Sequence, residues 1–398
     1  MMKHFIKVAM LLCVVAVLLS VLSFKTTQAK AAPSGGEVLQ NGFISSTCGK
    51  WGVVPSPNSN IVPDGLSGVA AVSASDVWAV GGSGSQLGGG QTLIEHWDGA
   101  HWQIVTSPSP GSMYNRLNGV TALSVADAWA VGYFVSPTGI TQTLIEYWNG
   151  KQWSVVKSPS PGSINNELFS VAATSASDVW AVGFVTNSTS GQTSVDQTLI
   201  EHWNGSNWSV VKSPSPGSSS DHLSAVAAVS ASDVWAVGDR NTLSQTLIEH
   251  WNGSNWSVVS SPNPGSGGVL EAVAAVSAGD VWATGYYTNS NSIQTLVEHW
   301  NGTSWQVVKS PNVGTAPALW AVTAVSANDV WAVGSYNNSN NVFQTLTEQW
   351  NGKQWSIVAS SSPGSFNNQL LGVAAVSSSD VWAVGHADSN TLIENYHC

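Results

Sequence analysis

Fourteen of the 23 acidic residues fall into two sets that recur at a fixed interval. One is Asp76, Asp127, Asp178, Asp233, Asp280, Asp329 and Asp380. The other is Glu95, Glu146, Glu201, Glu249, Glu298, Glu348 and Glu394. Carboxylates can act as general acids, bases or metal ligands, but a group present once in every repeat serves the repeat. The aspartate opens a short apolar run after a tight turn, where its side chain is expected to accept the turn amides. The glutamate lies inside an apolar run and calls for a buried donor, an indole N–H or a backbone amide of the next repeat. Histidine follows glutamate at His96, His202, His250 and His299. Neighbours on a strand point to opposite faces, so such a pair cannot grip one ion. No metal and no cofactor are expected.

Other reaction centres are missing as well. An arginine triad of the sialidase type needs three arginines, and the chain holds Arg116 and Arg240 alone. Gly-x-Ser-x-Gly, His-Glu-x-x-His and phosphate-loop patterns are absent. A copper site of the galactose-oxidase type needs a cysteine cross-linked to tyrosine. Of three cysteines, Cys13 sits in an apolar leader, and Cys48 and Cys398 are expected to bridge. The chain is therefore read as non-catalytic, with a polymer-acting hydrolase or lyase kept as an alternative.

Composition narrows the partners. Charged residues make up 9% of 398, while Gly numbers 38 and Trp 21. Lys3 and Lys7 precede an uncharged stretch from Val8 to Phe24, and Ala29-Lys30-Ala31 follows. A basic start, an apolar stretch and an Ala-x-Ala pattern predict an export signal over 1–31, cleaved after Ala31. The rival reading is an uncleaved anchor, which would be the chain's one attachment to a membrane. Without this leader, 8 basic residues face 23 acidic ones, a net charge of −15. Nucleic acid is disfavoured as a partner, since little would neutralise its phosphates.

The elements that position these residues come from a sevenfold repeat. DVWAVG, or DAWAVG and DVWATG, recurs at Asp76, Asp127, Asp178, Asp233, Asp280, Asp329 and Asp380, spaced 47 to 55 residues apart. That period suits a propeller blade. Each unit reads as four short strands, a to d, such as Leu223–Val229, VWAVG, Thr246–Trp251 and Trp256–Val259. Asn252-Gly253 supplies a hairpin turn between c and d, and SPSPG ends the pairing. The last unit stops after its third strand, at Tyr396-His397-Cys398, and the first recognisable strand, Trp51–Val54, is a fourth strand with no blade before it. The expected fold is all-β: a seven-bladed propeller over 48–398 whose N-terminal strand completes the last blade, preceded by a linker at 32–47. The same alignment puts Cys48 and Cys398 on one turn, next to each other.

The pattern VWAVG…LIEHWNGxxWxVV resembles kelch-like and tectonin-like propeller blades, and the WAVG repeats of exported proteins of soil bacteria. The resemblance implies the fold. The double glycine of kelch units occurs here once, at Gly81-Gly82.

In such a blade the b–c and d–a connections share one face of the ring. The b–c segments vary freely between repeats, and variation confined to one face marks a binding surface on a rigid scaffold, or neutral drift. That face offers Tyr133, Phe134, Phe184, Arg240, Tyr286, Tyr287, Tyr336 and Phe343, and the d–a segments add Tyr114, Arg116, Asn166, His222, Trp320 and Asn368. Aromatic platforms among amides and hydroxyls suit glycans, and they also suit a cell-surface protein. The expectation is an exported, monomeric module that binds carbohydrate through this face. A protein-interaction or surface-display scaffold is the alternative.

Overall fold

A computed structural model describes residues 49–85, 89–187 and 194–398. The expected leader, the linker and Cys48 lie outside the described residues. Twenty-eight strands form seven four-stranded antiparallel sheets, in the order a-b-c-d in every blade. The architecture is a seven-bladed β-propeller. Blade 4 is representative: a is His222–Ser230, b Asp233–Arg240, c Gln245–Trp251 and d Trp256–Val258. Strands a and b run past the repeated motif, so Arg116, Tyr133, Phe184, His222, Tyr286 and Trp320 stand in strands and not in loops.

Strand a is innermost, and each a strand touches the next around the ring, with Asn368–Ser377 against Asp64–Ser73 at the seam. Crowding explains its small residues. A Cβ on Gly119 would come within 2.9 Å of the Phe169 carbonyl oxygen, and one on Gly372 within 3.1 Å of that of Ser67. The glycine that ends VWAVG has another cause. A side chain at Gly81 would lie 1.9 Å from the Gly65 carbonyl oxygen, where strand a bulges across strand b, and the other six copies are as tight.

Indole rings fill the wedges between blades. Trp235 of blade 4 packs against Trp300 and Trp305 of blade 5, with centroids 5.0 and 5.4 Å apart. Aromatic rings bury large areas and gain further from tilted and edge-on geometry. Each strand-c Trp also ties its own blade, as when Trp251 Nε1 donates to the Ala231 carbonyl at 3.1 Å. The SPSP segment does more than end a ladder. Thr246 Oγ1 meets the Ser261 hydroxyl at 2.7 Å and donates to the Pro262 carbonyl at 2.9 Å, pinning the outgoing chain to strand c.

The seam copies the aromatic wedge and the threonine–serine clasp. Strand Lys50–Val53 pairs with Asn390–His397, setting Trp51 opposite Tyr396. Trp51 meets Trp331 of blade 6 edge-on at 5.5 Å, and Tyr396 fills the strand-c place 4.5 Å from Trp331. Ser56 meets Thr391 at 2.7 Å, and Thr391 N donates to Asn58 Oδ1 at 2.9 Å. The ring is therefore closed by side chains as well as by a ladder.

Trp51→Ala should cost about 3–5 kcal/mol, as for other large-to-small core changes. Denaturant titration beside Trp355→Ala, its counterpart in blade 6, checks this. A much smaller loss at Trp51 would show that the seam holds less than the other wedges.

Candidate functional site

The repeated carboxylates resolve first, and they are structural. Asp76 Oδ1 lies 2.7 Å from His96 Nε2, and Asp178, Asp233 and Asp280 meet His202, His250 and His299 in the same way at 2.6 to 2.8 Å. Each imidazole lies over the strand-b indole, with centroids 4.1 to 4.2 Å apart. Blades 6 and 7 use Gln349 and Asn395 as the donor to Asp329 and Asp380. The expectation that the aspartate serves the turn amides is thus corrected. A serine takes that task, as when Ser230 Oγ accepts from Ser232 N, and the aspartate orients strand c.

The seven glutamates are fully buried between blades. Three of them take a donor from the preceding blade, none of these an indole, while Glu95, Glu146, Glu201 and Glu348 have no hydrogen-bond partner among the described residues. Ser213 donates to Glu249 at 2.9 Å, Ser261 to Glu298 at 3.0 Å, and the Ser361 amide to Glu394 at 3.2 Å. Burial pushes the carboxyl of Glu249 up to about 8, as it does for Glu95, Glu146, Glu298, Glu348 and Glu394. Glu201 is raised in the same direction. At neutral pH these groups are mainly protonated.

A different set of residues forms a site. In every blade the register between strands a and b slips once just after the invariant leucine, leaving one unpaired residue. The seven are Ser67, Asn118, Phe169, Ser224, Glu271, Trp320 and Leu371, and all line the central channel, a cavity of about 210 Å³. Their flanks are nearly constant, yet no two neighbouring blades carry the same one. The signal was present in the sequence as LSG, LNG, LFS, LSA, LEA, LWA and LLG, but it lies within a strand and not in the variable loops. Trp320, placed by sequence in a d–a loop, belongs to this ring in strand Thr315–Ser326.

Above the ring, on the b–c and d–a face, charged and aromatic groups gather. His222 Nε2 lies 3.0 Å from Asp196 and Nδ1 3.2 Å from Asp239. Burial would lower the imidazole pKa, but these two bonds outweigh it and hold the group up at about 10, so His222 is a cation. Arg116 Nη2 donates to Ser67 Oγ at 2.7 Å. Its aliphatic stem lies against Gly82, where a Cβ would stand 3.5 Å from its Cγ. Tyr114 and Tyr133 beside it raise its pKa against the opposing effect of burial. Burial and Asp196 raise Glu167 to about 7, with His222 and Arg116 pulling the other way. Burial and Asp239 raise Glu271 to about 7, with His222 opposing. His386 falls to about 4 through burial and the nearby Arg116.

Of the sequence candidates, the mouth brings together Tyr114, Arg116, Tyr133, Phe184, His222, Tyr286 and Trp320. Tyr114 lies 5.9 Å from Tyr133, Phe184 4.9 Å from His222, and Tyr286 5.9 Å from Trp320. Strand alternation sends their neighbours the other way. Phe134, Tyr287 and Tyr336 pack into wedges between blades. Arg240 ends its strand with a buried Nε, and Phe343 begins strand Phe343–Trp350. Asn166 and Asn368 brace the d–a loops, with Asn166 Oδ1 accepting from Gly162 N and Asn368 Oδ1 from Gly364 N, both at 2.6 Å. Glu167, Phe169, Asp196, Asp239 and Glu271 enter the site from the structure alone.

No protein-family model matches this chain, and no curated protein does. Solved structures match its fold. The propeller described as YCF48 bound to D1 peptide shares 13% identity at a TM-score of 0.54, covering 89% of this chain and 96% of its own. YCF48 from Cyanidioschyzon merolae gives 16% and 0.53, with 87% and 99% covered. The structure of YjhT gives 12% and 0.50, with 76% and 99% covered.

Replacing a ring glutamate tests its protonation. A carboxyl raised in the folded state favours folding fully below about 4.5, its ordinary value, and that advantage is lost as pH rises to about 8. Glu249→Gln has no such loss, so its stability relative to the parent should climb between pH 5 and pH 9, on the order of a few kcal/mol. Urea titrations across that range decide. A constant difference would mean that Glu249 is ionised in the folded protein.

Proposed function

We propose that this protein is an exported, non-catalytic binding module that takes a carbohydrate at the mouth of its central channel. One observation carries the reading: a single position, repeated in all seven blades and lining the cavity, bears Ser, Asn, Phe, Ser, Glu, Trp and Leu on a framework otherwise held constant. Aromatic faces beside amide, hydroxyl and carboxylate groups match the alternating apolar faces and hydroxyl edges of a sugar. A protein partner is the second reading, supported by the peptide bound to the YCF48 propeller that shares this fold.

The WAVG and LIEHWNG motifs support a place among tectonin-like and kelch-like repeat proteins of the exported bacterial type. The basic, apolar, Ala-x-Ala order of residues 1–31 supports export. A bridge from Cys48 to Cys398 fits the same reading, since Gly49 N donates to His397 O at 3.2 Å and brings the two segments side by side. Peptide mapping of unreduced protein should recover the two cysteines in one linked fragment. Two separate free thiols would end that proposal.

A glycan array probed with the purified protein tests the function. Glycan hits should weaken by about tenfold or more in Trp320→Ala, since truncating an anchor of this kind costs upwards of about 2 kcal/mol. Breakdown of a bound polymer would contradict the non-catalytic reading. An array without hits, together with capture of a peptide ligand at the mouth, would move the assignment to a protein partner.

A further inference from the structure

Among the seven channel residues Glu271 alone is ionisable. Its carboxylate accepts no hydrogen bond from any described residue. The two cations of the mouth are already engaged: His222 directs both ring nitrogens to Asp196 and Asp239, and Arg116 binds Ser67 and neighbours the tyrosines. Four carboxyl groups (Glu167, Asp196, Asp239 and Glu271) therefore share the mouth with two cations that are already bonded. Next to Glu271, on blade 6, the Trp320 indole N–H donates to Ser335 Oγ at 3.1 Å, which holds the ring in place in the channel wall. Tyr286 meets Trp320 at 66°, forming an aromatic corner.

We propose that this corner binds an amino-sugar unit, with the protonated amine against Glu271 and the sugar ring on Trp320, which the buried Tyr286 backs. A carboxylate and an aromatic face together satisfy an ammonium group by a charge-assisted bond and a cation–π contact. The apolar face of a pyranose stacks on the same indole. A neutral sugar would leave Glu271 unanswered in the narrow channel, which costs affinity. The inference rests on the channel mouth being the binding face and adds the chemical class of what enters it.

Calorimetric titration of the full chain with a glucosamine tetramer, its N-acetylated counterpart and tetralysine tests it. The glucosamine tetramer should bind, and the N-acetylated form about tenfold or more less tightly. Glu271→Gln, close to isosteric, should erase that preference by weakening the glucosamine tetramer about tenfold or more, while the fold, read by far-UV circular dichroism, is retained. Trp320→Leu should weaken both tetramers. Equal affinity for the two tetramers, or full binding by Glu271→Gln, overturns the amine contact. If Trp320→Leu still weakens a neutral sugar in that case, the mouth remains the binding face. Tetralysine binding as tightly as the glucosamine tetramer, with the same dependence on Glu271, overturns the sugar. No binding of any sugar overturns both this inference and the reading beneath it.

Discussion

Everything in this molecule depends on one contact made seven times: the strand-b indole of each blade pressed against the strand-c and strand-d aromatics of the next. A four-stranded blade with two apolar faces cannot bury them alone. Turning each face towards a neighbour buries both, and the aromatic wedge sets the separation. Trp382 against Trp97 and Trp102 joins blade 7 to blade 1 with the same geometry found inside the chain. The Asp-His-Trp stacks and the buried glutamates then fix the tilt of strand c within this packing. Polar groups spread so evenly around the ring belong to its mechanics.

Where the framework repeats, departures from it carry the information. The bulge after the invariant leucine releases one residue per blade from the ladder, and the VWAVG glycine makes room for the bulge on the strand beside it. The released side chain faces the axis, where it meets six others from distant parts of the sequence. Its identity can change without disturbing a wedge, a turn or a ladder. Framework and recognition are thereby separated at the level of single residues.

Much of this could be read from the chain itself. The spacing of DVWAVG, the orphan fourth strand at Trp51 and the truncated seventh repeat specify blade number and closure, because a strand needs a partner and few topologies supply one. The roles of Asp76 and Glu95 were only half legible: repetition marked them as structural, but their partners depend on which face each strand turns towards its neighbour. Phe134 and Tyr133 show why aromatic content misleads at the mouth. They are adjacent in sequence and alike in chemistry, and alternation sends one to a wedge and the other to the channel side. Glu271 and Phe169 escaped because a bulge leaves no mark in composition. Its trace is variability inside an otherwise fixed string.

The joining of the first strand to the last blade also sets an order of events. Lys50–Val53 is made before the other described strands, yet its partner Asn390–His397 follows all of them, more than three hundred residues later. Six blades can zip up as they emerge, each resting on the one before. The seventh waits for Asn390–His397, and until then Lys50–Val53 has no ladder partner and can pair with another molecule. Acquisition of the native ring is therefore governed by contacts of the longest possible sequence separation, which favours slow maturation and rewards any chaperone that shields the waiting ends.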